Sequence, residues 1–291
     1  MAVSAQDFIA PEELARRLAE KRPGVRVLDV RYSLTAGPLP QEHLNAHVPG
    51  AVFVDFPREL CGPVTASSGT QPLPDPAVFQ RVVAGWGVEA DTDVFVVGGH
   101  NGMAAARAWW LLRWGGHGRV QVVDGGNDNG VRSGLPVAAG AVPRPARAAD
   151  QIRPGALPVL DHEGAGVLAG QGQLLDARAR GAYDSVAGTG PGLQAGHIPG
   201  ARSLPATSLV RRSGVRRPEG EIRRALEDSG VDPSRPLGVY CGGGIASSYA
   251  VLALHLIGIT AALYPAGWSG WVSEPGRAVE ISPCAAVVDA H

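Results

Sequence analysis

Residues 237–250 read Leu-Gly-Val-Tyr-Cys-Gly-Gly-Gly-Ile-Ala-Ser-Ser-Tyr-Ala. A short apolar run passes through one cysteine and three glycines into a segment with no helix breaker. This predicts a strand at 237–241, a tight loop, and a helix at 247–257. Strand, glycine loop and helix together form the unit of an open α/β sheet, which binds ligands at the carboxyl ends of its parallel strands. The pattern puts Cys241 at such an end.

Working outward, the chain repeats itself. Val-Leu-Asp-Val-Arg at 27–31 returns as Leu-Leu-Asp-Ala-Arg at 174–178, and Ala-His-Val-Pro-Gly-Ala at 46–51 returns as Gly-His-Ile-Pro-Gly-Ala at 196–201. Val-Phe-Val-Val-Gly-Gly-His-Asn-Gly-Met-Ala-Ala-Ala at 94–106 aligns with 237–248 at an offset of 142. Three matches in one order indicate duplicated domains. Further strands are expected near 25–29, 51–54, 94–97 and 120–123, then near 173–176 and 261–264. Helices are expected at 11–19, 104–114 and 219–228. The reading is α/β: two domains, 1–135 and 161–291, each a parallel sheet flanked by helices. Between them lies a linker at 136–160, whose first part is broken by Pro and Gly.

The totals agree. A length of 291 residues suits two domains, and 45% apolar with 18% charged residues suits a globular protein. A net charge of −1 supplies no field for nucleic acid or anionic lipid. No basic, apolar leader opens the chain, and no apolar run approaches about 18 residues, so a cytoplasmic protein with no membrane partner is expected. Cys61, Cys241 and Cys284 are too few and too scattered for a disulfide framework or a CxxC metal site.

A loop of Gly242, Gly243 and Gly244 lets backbone N–H groups converge, and the following helix dipole favours negative charge there. Such a cradle stabilises a thiolate or the outer sulfur of a persulfide. The alternative is a buried core cysteine before a turn. In the first half Gly99 occupies the equivalent place, so the fold itself does not need the thiol. The simplest account is one active and one silent copy.

Taken together, these residues resemble the tandem-domain rhodanese family, the thiosulfate and 3-mercaptopyruvate sulfurtransferases. The resemblance rests on both Asp-x-Arg strands, both His-(Val/Ile)-Pro-Gly-Ala loops, the Cys241–Ala246 loop and Gly-Trp-Ser-Gly-Trp at 267–271. It implies two rhodanese-like domains, a catalytic Cys241 in the second, and a persulfide held by Gly242, Gly243, Gly244, Ile245, Ala246 and Ser247. Sulfur would pass from a small-molecule donor to cyanide or a thiol, without metal or organic cofactor. A rhodanese-like persulfide carrier with little turnover on small donors is the other reading.

The sequence departs from the family pattern in the loop, where Gly243 replaces a hydroxyl residue and Ala246 a threonine of the mercaptopyruvate type. It departs again at Ala182 and about Gly190, where that type has carboxylate-binding arginines. The acidic residue expected after the first Pro-Gly-Ala falls at Pro57, with Asp55 nearby. Thiosulfate is thereby favoured as donor, with 3-mercaptopyruvate as the runner-up, since Gly242 directly after the cysteine is the pattern of the mercaptopyruvate type.

Arg178, Arg180 and Trp268 are candidate substrate contacts, and Arg202, Arg211 and Arg212 further anion contacts. Arg178 has a counterpart in Arg31 of the silent half, and a structural ion pair is its better reading. Asp29, Asp176, His47 and His197 repeat in both halves and are read as loop braces. Ser247 and Ser248 are assigned to helix capping ahead of persulfide binding. Trp268 and Trp271 either wall a cleft or pack the core.

Other chemistries fit less well. A cysteine phosphatase needs Arg six residues after its nucleophile, and Ser247 stands there. His43-x3-His47 lacks a third metal ligand. Gly-Gly-His-Asn-Gly at 98–102 matches no nucleotide loop. The basic run 211–217 reads as a solvated surface, and Cys61 and Cys284 as structural or incidental.

Overall fold

The computed structural model describes residues 7–99, 101–145, 152–184 and 194–282. Two parallel sheets form. The first runs Phe8–Ile9, Val120–Val123, Asp93–Gly98, Val25–Val30, Val52–Phe53 in spatial order. The second runs Ala261–Leu263, Leu237–Tyr240, Leu174–Asp176, Arg202–Ser203. Val159 bridges Leu263 in parallel, standing where Phe8–Ile9 stands in the first sheet. The duplication read from the motifs is therefore a duplication of topology.

Burial on both faces explains the continuous apolar runs of the central strands: all four residues of Leu237–Tyr240 and five of six in Asp93–Gly98 are buried. Two helices of equal length, Met103–Trp114 and Ile245–Leu256, follow these strands and pack against each other between the sheets. Both are apolar around nearly their whole circumference because each faces a sheet on one side and its twin on the other. The largest core cluster runs unbroken from Leu28 in the first half to Leu263 in the second. Two smaller clusters cover the outer faces.

Helices Pro11–Ala19 and Glu219–Asp228 have the expected bounds. The helix after Cys241 begins at Ile245, two residues before the expected start, because Gly244 in the left-handed conformation (φ 95°) is its N-cap. The segment 136–160 touches both halves. Ala138 pairs with His47, Arg153 N–H donates to the Gly115 carbonyl, and Leu160 N–H donates to the Leu263 carbonyl. No helix among the described residues is long and apolar enough to cross a membrane.

Candidate active site

Strand Leu237–Tyr240 delivers Cys241 to the mouth of helix Ile245–Leu256, where the residue is 4% exposed. The chain turns back at Gly244, whose N–H donates to Cys241 Sγ at 3.1 Å. Ser247 Oγ donates to the same sulfur at 3.3 Å. Ile245 and Ala246 open the helix, so their N–H groups have no intrahelical acceptor. One backbone donor, one hydroxyl and the positive end of a helix thus meet at one sulfur.

The capping assignment for the serines does not hold. Gly244 occupies the cap, which places Ser247 and Ser248 inside the first turn. Ser247 turns to the sulfur, and Ser248 Oγ donates back to the Gly244 carbonyl at 2.7 Å.

Glycine at 243 has a steric cause. A Cβ there would lie 2.4 Å from Thr70 Oγ1 and 2.9 Å from Gln71 Oε1, so a segment of the first half already fills the space of a side chain. Thr70 N–H donates to Ser269 Oγ at 3.0 Å, and that hydroxyl donates to the Gly242 carbonyl at 2.8 Å. Gly267 is fixed more firmly, by backbone rather than by side chains. At φ 61°, a Cβ on it would lie 2.6 Å from the Cys241 carbonyl oxygen, and Trp268 N–H donates to that oxygen at 2.7 Å. The Gly-Trp-Ser-Gly-Trp motif is thus the seat of the loop. A cleft of about 700 Å³ between the halves, lined in part by Tyr32, Asn101 and Met103, reaches the loop at Ile245 and Ala246.

The candidate substrate contacts are engaged elsewhere. Arg178 forks onto Asp176 (2.6 Å for the shortest contact), donates to the Gly196 carbonyl at 2.8 Å and stacks on the Trp268 ring at 4.6 Å. Trp268 Nε1 donates to the Gln194 carbonyl. Arg180 lies on an exposed surface and pairs with Asp184. Arg202 is exposed, Arg211 pairs with Glu221, and Arg216 and Arg217 of the basic run pair with Asp124 and Glu221. Trp271 donates to the Ala278 carbonyl under Arg277. Ala182 sits on the short helix Arg180–Asp184, and Asp55 caps Phe56–Glu59. Gly190 and Cys284 lie outside the described residues.

The repeated histidines brace loops: His47 Nδ1 meets the His43 carbonyl, and His197 Nδ1 the Tyr183 carbonyl. Burial pushes the Asp29 carboxyl up. The His43 hydrogen bond, the Arg31 charge and the Asn127 amide outweigh it and hold the group below the ordinary carboxylate value. Among the described residues no three His, Cys, Asp or Glu side chains cluster as metal ligands. Cys61 is half-buried, and burial pushes its thiol up.

Sequence reasoning missed Arg107, Thr70 and Gln71, which reach the Cys241 loop from the other half. Their only sequence signal was Arg107 itself, a charge in the middle of the apolar stretch 104–112.

The family model for the rhodanese-like domain matches this chain twice, at residues 10–132 and 164–274. The chain belongs to the rhodanese family. Among curated rhodanese relatives, "Putative thiosulfate sulfurtransferase SseB" of Mycobacterium tuberculosis is 36% identical over 96% of this chain and 98% of its own length. "Probable 3-mercaptopyruvate sulfurtransferase" of Pseudomonas aeruginosa is 34% identical over 95% and 99%. Among solved rhodanese folds, the 3-mercaptopyruvate sulfurtransferase SseA of Escherichia coli superposes with a TM-score of 0.79 at 29% identity, covering 91% of this chain and 99% of that one.

Proposed function

We propose that this rhodanese is a sulfurtransferase that carries sulfur as a persulfide on Cys241. The observation that supports this most is the convergence of Gly244 N–H and Ser247 Oγ on one buried Sγ at a helix N-terminus. The thiolate attacks the outer sulfur of thiosulfate, a new S–S bond forms, the old one breaks, and sulfite leaves with the electron pair. Cyanide or a thiolate then attacks the outer sulfur of the persulfide. Its S–S bond breaks towards Cys241, which is released as thiolate.

Thiosulfate is the preferred donor. A keto acid needs a cation for its carboxylate, position 182 offers only a methyl group, and Arg178 and Arg180 are already paired. The same reading puts the enzyme in the cytoplasm, where thiols are available as acceptors.

The test is intact mass after separate incubations with thiosulfate and 3-mercaptopyruvate. Wild type should gain one sulfur, about 32 Da, from thiosulfate faster than from 3-mercaptopyruvate, lose it to cyanide, and gain none as Cys241→Ser. The near-complete burial of Cys241 supports one other reading, a carrier loaded by a partner enzyme. No gain from either donor would favour that reading.

A further inference from the structure

In each half, the helix after the loop sends its fifth residue to the loop of the other half. Tyr249, fifth in Ile245–Leu256, comes within 3.6 Å of the place a Cβ would take on Gly102. Arg107, fifth in Met103–Trp114, brings Nη1 to 2.9 Å from the matching place on Gly244. The two contacts are equivalent at the offset of 142 that relates the loops. The loop without a thiol faces a phenol ring, and the loop with one faces a cation.

Arg107 is completely buried. Its Nη2 donates to the carbonyls of Gln71 at 3.1 Å, Pro72 at 3.3 Å and Leu60 at 3.5 Å. Its Nε and Nη1 have no hydrogen-bond partner. Among the described residues no carboxylate pairs with it, and the acids within Coulomb reach are the thiols of Cys61 and Cys241. An unpaired guanidinium in a core is costly and is retained where an anion offsets it. Burial holds Cys61 neutral, which leaves the sulfur on Cys241.

We propose that Arg107 is the counter-ion of the reacting sulfur, a positioning residue supplied by the half that has no thiol of its own in the equivalent loop. This rests on reading Cys241 as the sulfur carrier. It acts beneath the Gly244 turn, on the face of the loop away from solvent, and stabilises negative charge on the thiolate and on the persulfide alike. It also gives the silent half a chemical duty.

The experiment follows alkylation of Cys241 by iodoacetamide, without any sulfur donor, by peptide mass in wild type, Arg107→Met and Arg107→Lys. Met keeps the bulk and removes the charge. At pH 7 it should slow alkylation about tenfold or more and move the rate–pH profile to higher pH, while Lys recovers most of the rate. A folded Arg107→Met protein with the wild-type rate and profile would overturn the proposal, since a purely structural role moves neither.

If Arg107→Met does not fold, melting of wild type and Cys241→Ala at pH 6 and pH 8.5 takes its place. The wild-type advantage in Tm should widen with pH as the thiolate forms beside its cation; a constant or shrinking advantage overturns the proposal. Failure of wild type to take sulfur in the mass experiment would count against the sulfurtransferase reading and leave this comparison intact.

Discussion

In the N-terminal half, the chain leaves strand Asp93–Gly98, turns at Gly102 (φ 67°) and enters a twelve-residue helix. In the C-terminal half it leaves Leu237–Tyr240, turns at Gly244 (φ 95°) and enters another. The N–H at the first turn donates to the Gly99 carbonyl at 3.1 Å, and the N–H at the second donates to Cys241 Sγ at the same distance. Even the supports agree. Gly126 approaches the Gly99 carbonyl as Gly267 approaches that of Cys241, each too closely for a Cβ. The backbone of the loop is thus a property of the fold. Its chemistry depends on a few side chains: cysteine for Gly99, Ser247 for Ala105, and Arg107 across the interface where the other loop meets Tyr249.

The hardest test of this comparison is to rebuild the silent loop. A Cβ at Gly99 has nothing within 4 Å, so the position accepts Gly99→Cys, and Ala105→Ser adds the hydroxyl that Ser247 supplies in the other loop. Combined with Cys241→Ser, it should take no sulfur from thiosulfate by intact mass, because the rebuilt thiol has no cation opposite. Loading at the wild-type rate would mean that the loop alone suffices.

Beneath the two loops, the equivalent aspartates differ. Asp29 is held by Arg31, His43 and Asn127, whereas Asp176 is held by Arg178 and the Arg178 backbone N–H, Trp268 having taken the place of Asn127. Asp29→Asn should cost about 3 kcal/mol at neutral pH by urea unfolding. The folded carboxyl titrates below its unfolded value, so its stabilisation is complete above the unfolded value and is lost as pH falls through the folded one. The gap between wild type and Asp29→Asn should therefore close below about pH 4; a gap independent of pH would place the cost in packing instead.

The smallest effect is expected from Ser247→Ala, which turns the active loop towards its twin by one hydroxyl. Persulfide formation should slow about tenfold, the worth of one hydrogen bond to a charged sulfur. An unchanged rate would reduce Ser247 to a packing residue.

Much of this was legible in the chain. The central strands are apolar runs bounded by glycine or proline, and the amphipathic helices at 11–19 and 219–228 have acids in their first turns. What escaped were strands Phe8–Ile9 and Arg202–Ser203, two residues each, which form because a neighbouring strand offers free backbone groups, and also the longer helices Pro76–Gly85 and His162–Gly170. Helix Gly267–Ser273 was visible only as a motif, Gly267 being set by contact with the Cys241 loop and Gly270 by the close approach of Ala266, Ser67 and Gly69. At Ser247, local capping preference misled because a glycine able to reach φ 95° moved the helix start two residues earlier.

By itself the sequence determined the duplication, the sheets and the placing of one cysteine between a strand and a helix, since these depend on neighbours a few residues apart and on the periods of strand and helix. Only the tertiary structure decided what surrounds that cysteine. Arg107, Thr70 and Gln71 come from the other half of the chain, and apart from the charge of Arg107 in an apolar stretch nothing in their local sequence marks them, because their positions follow from how two apolar helices pack between two sheets.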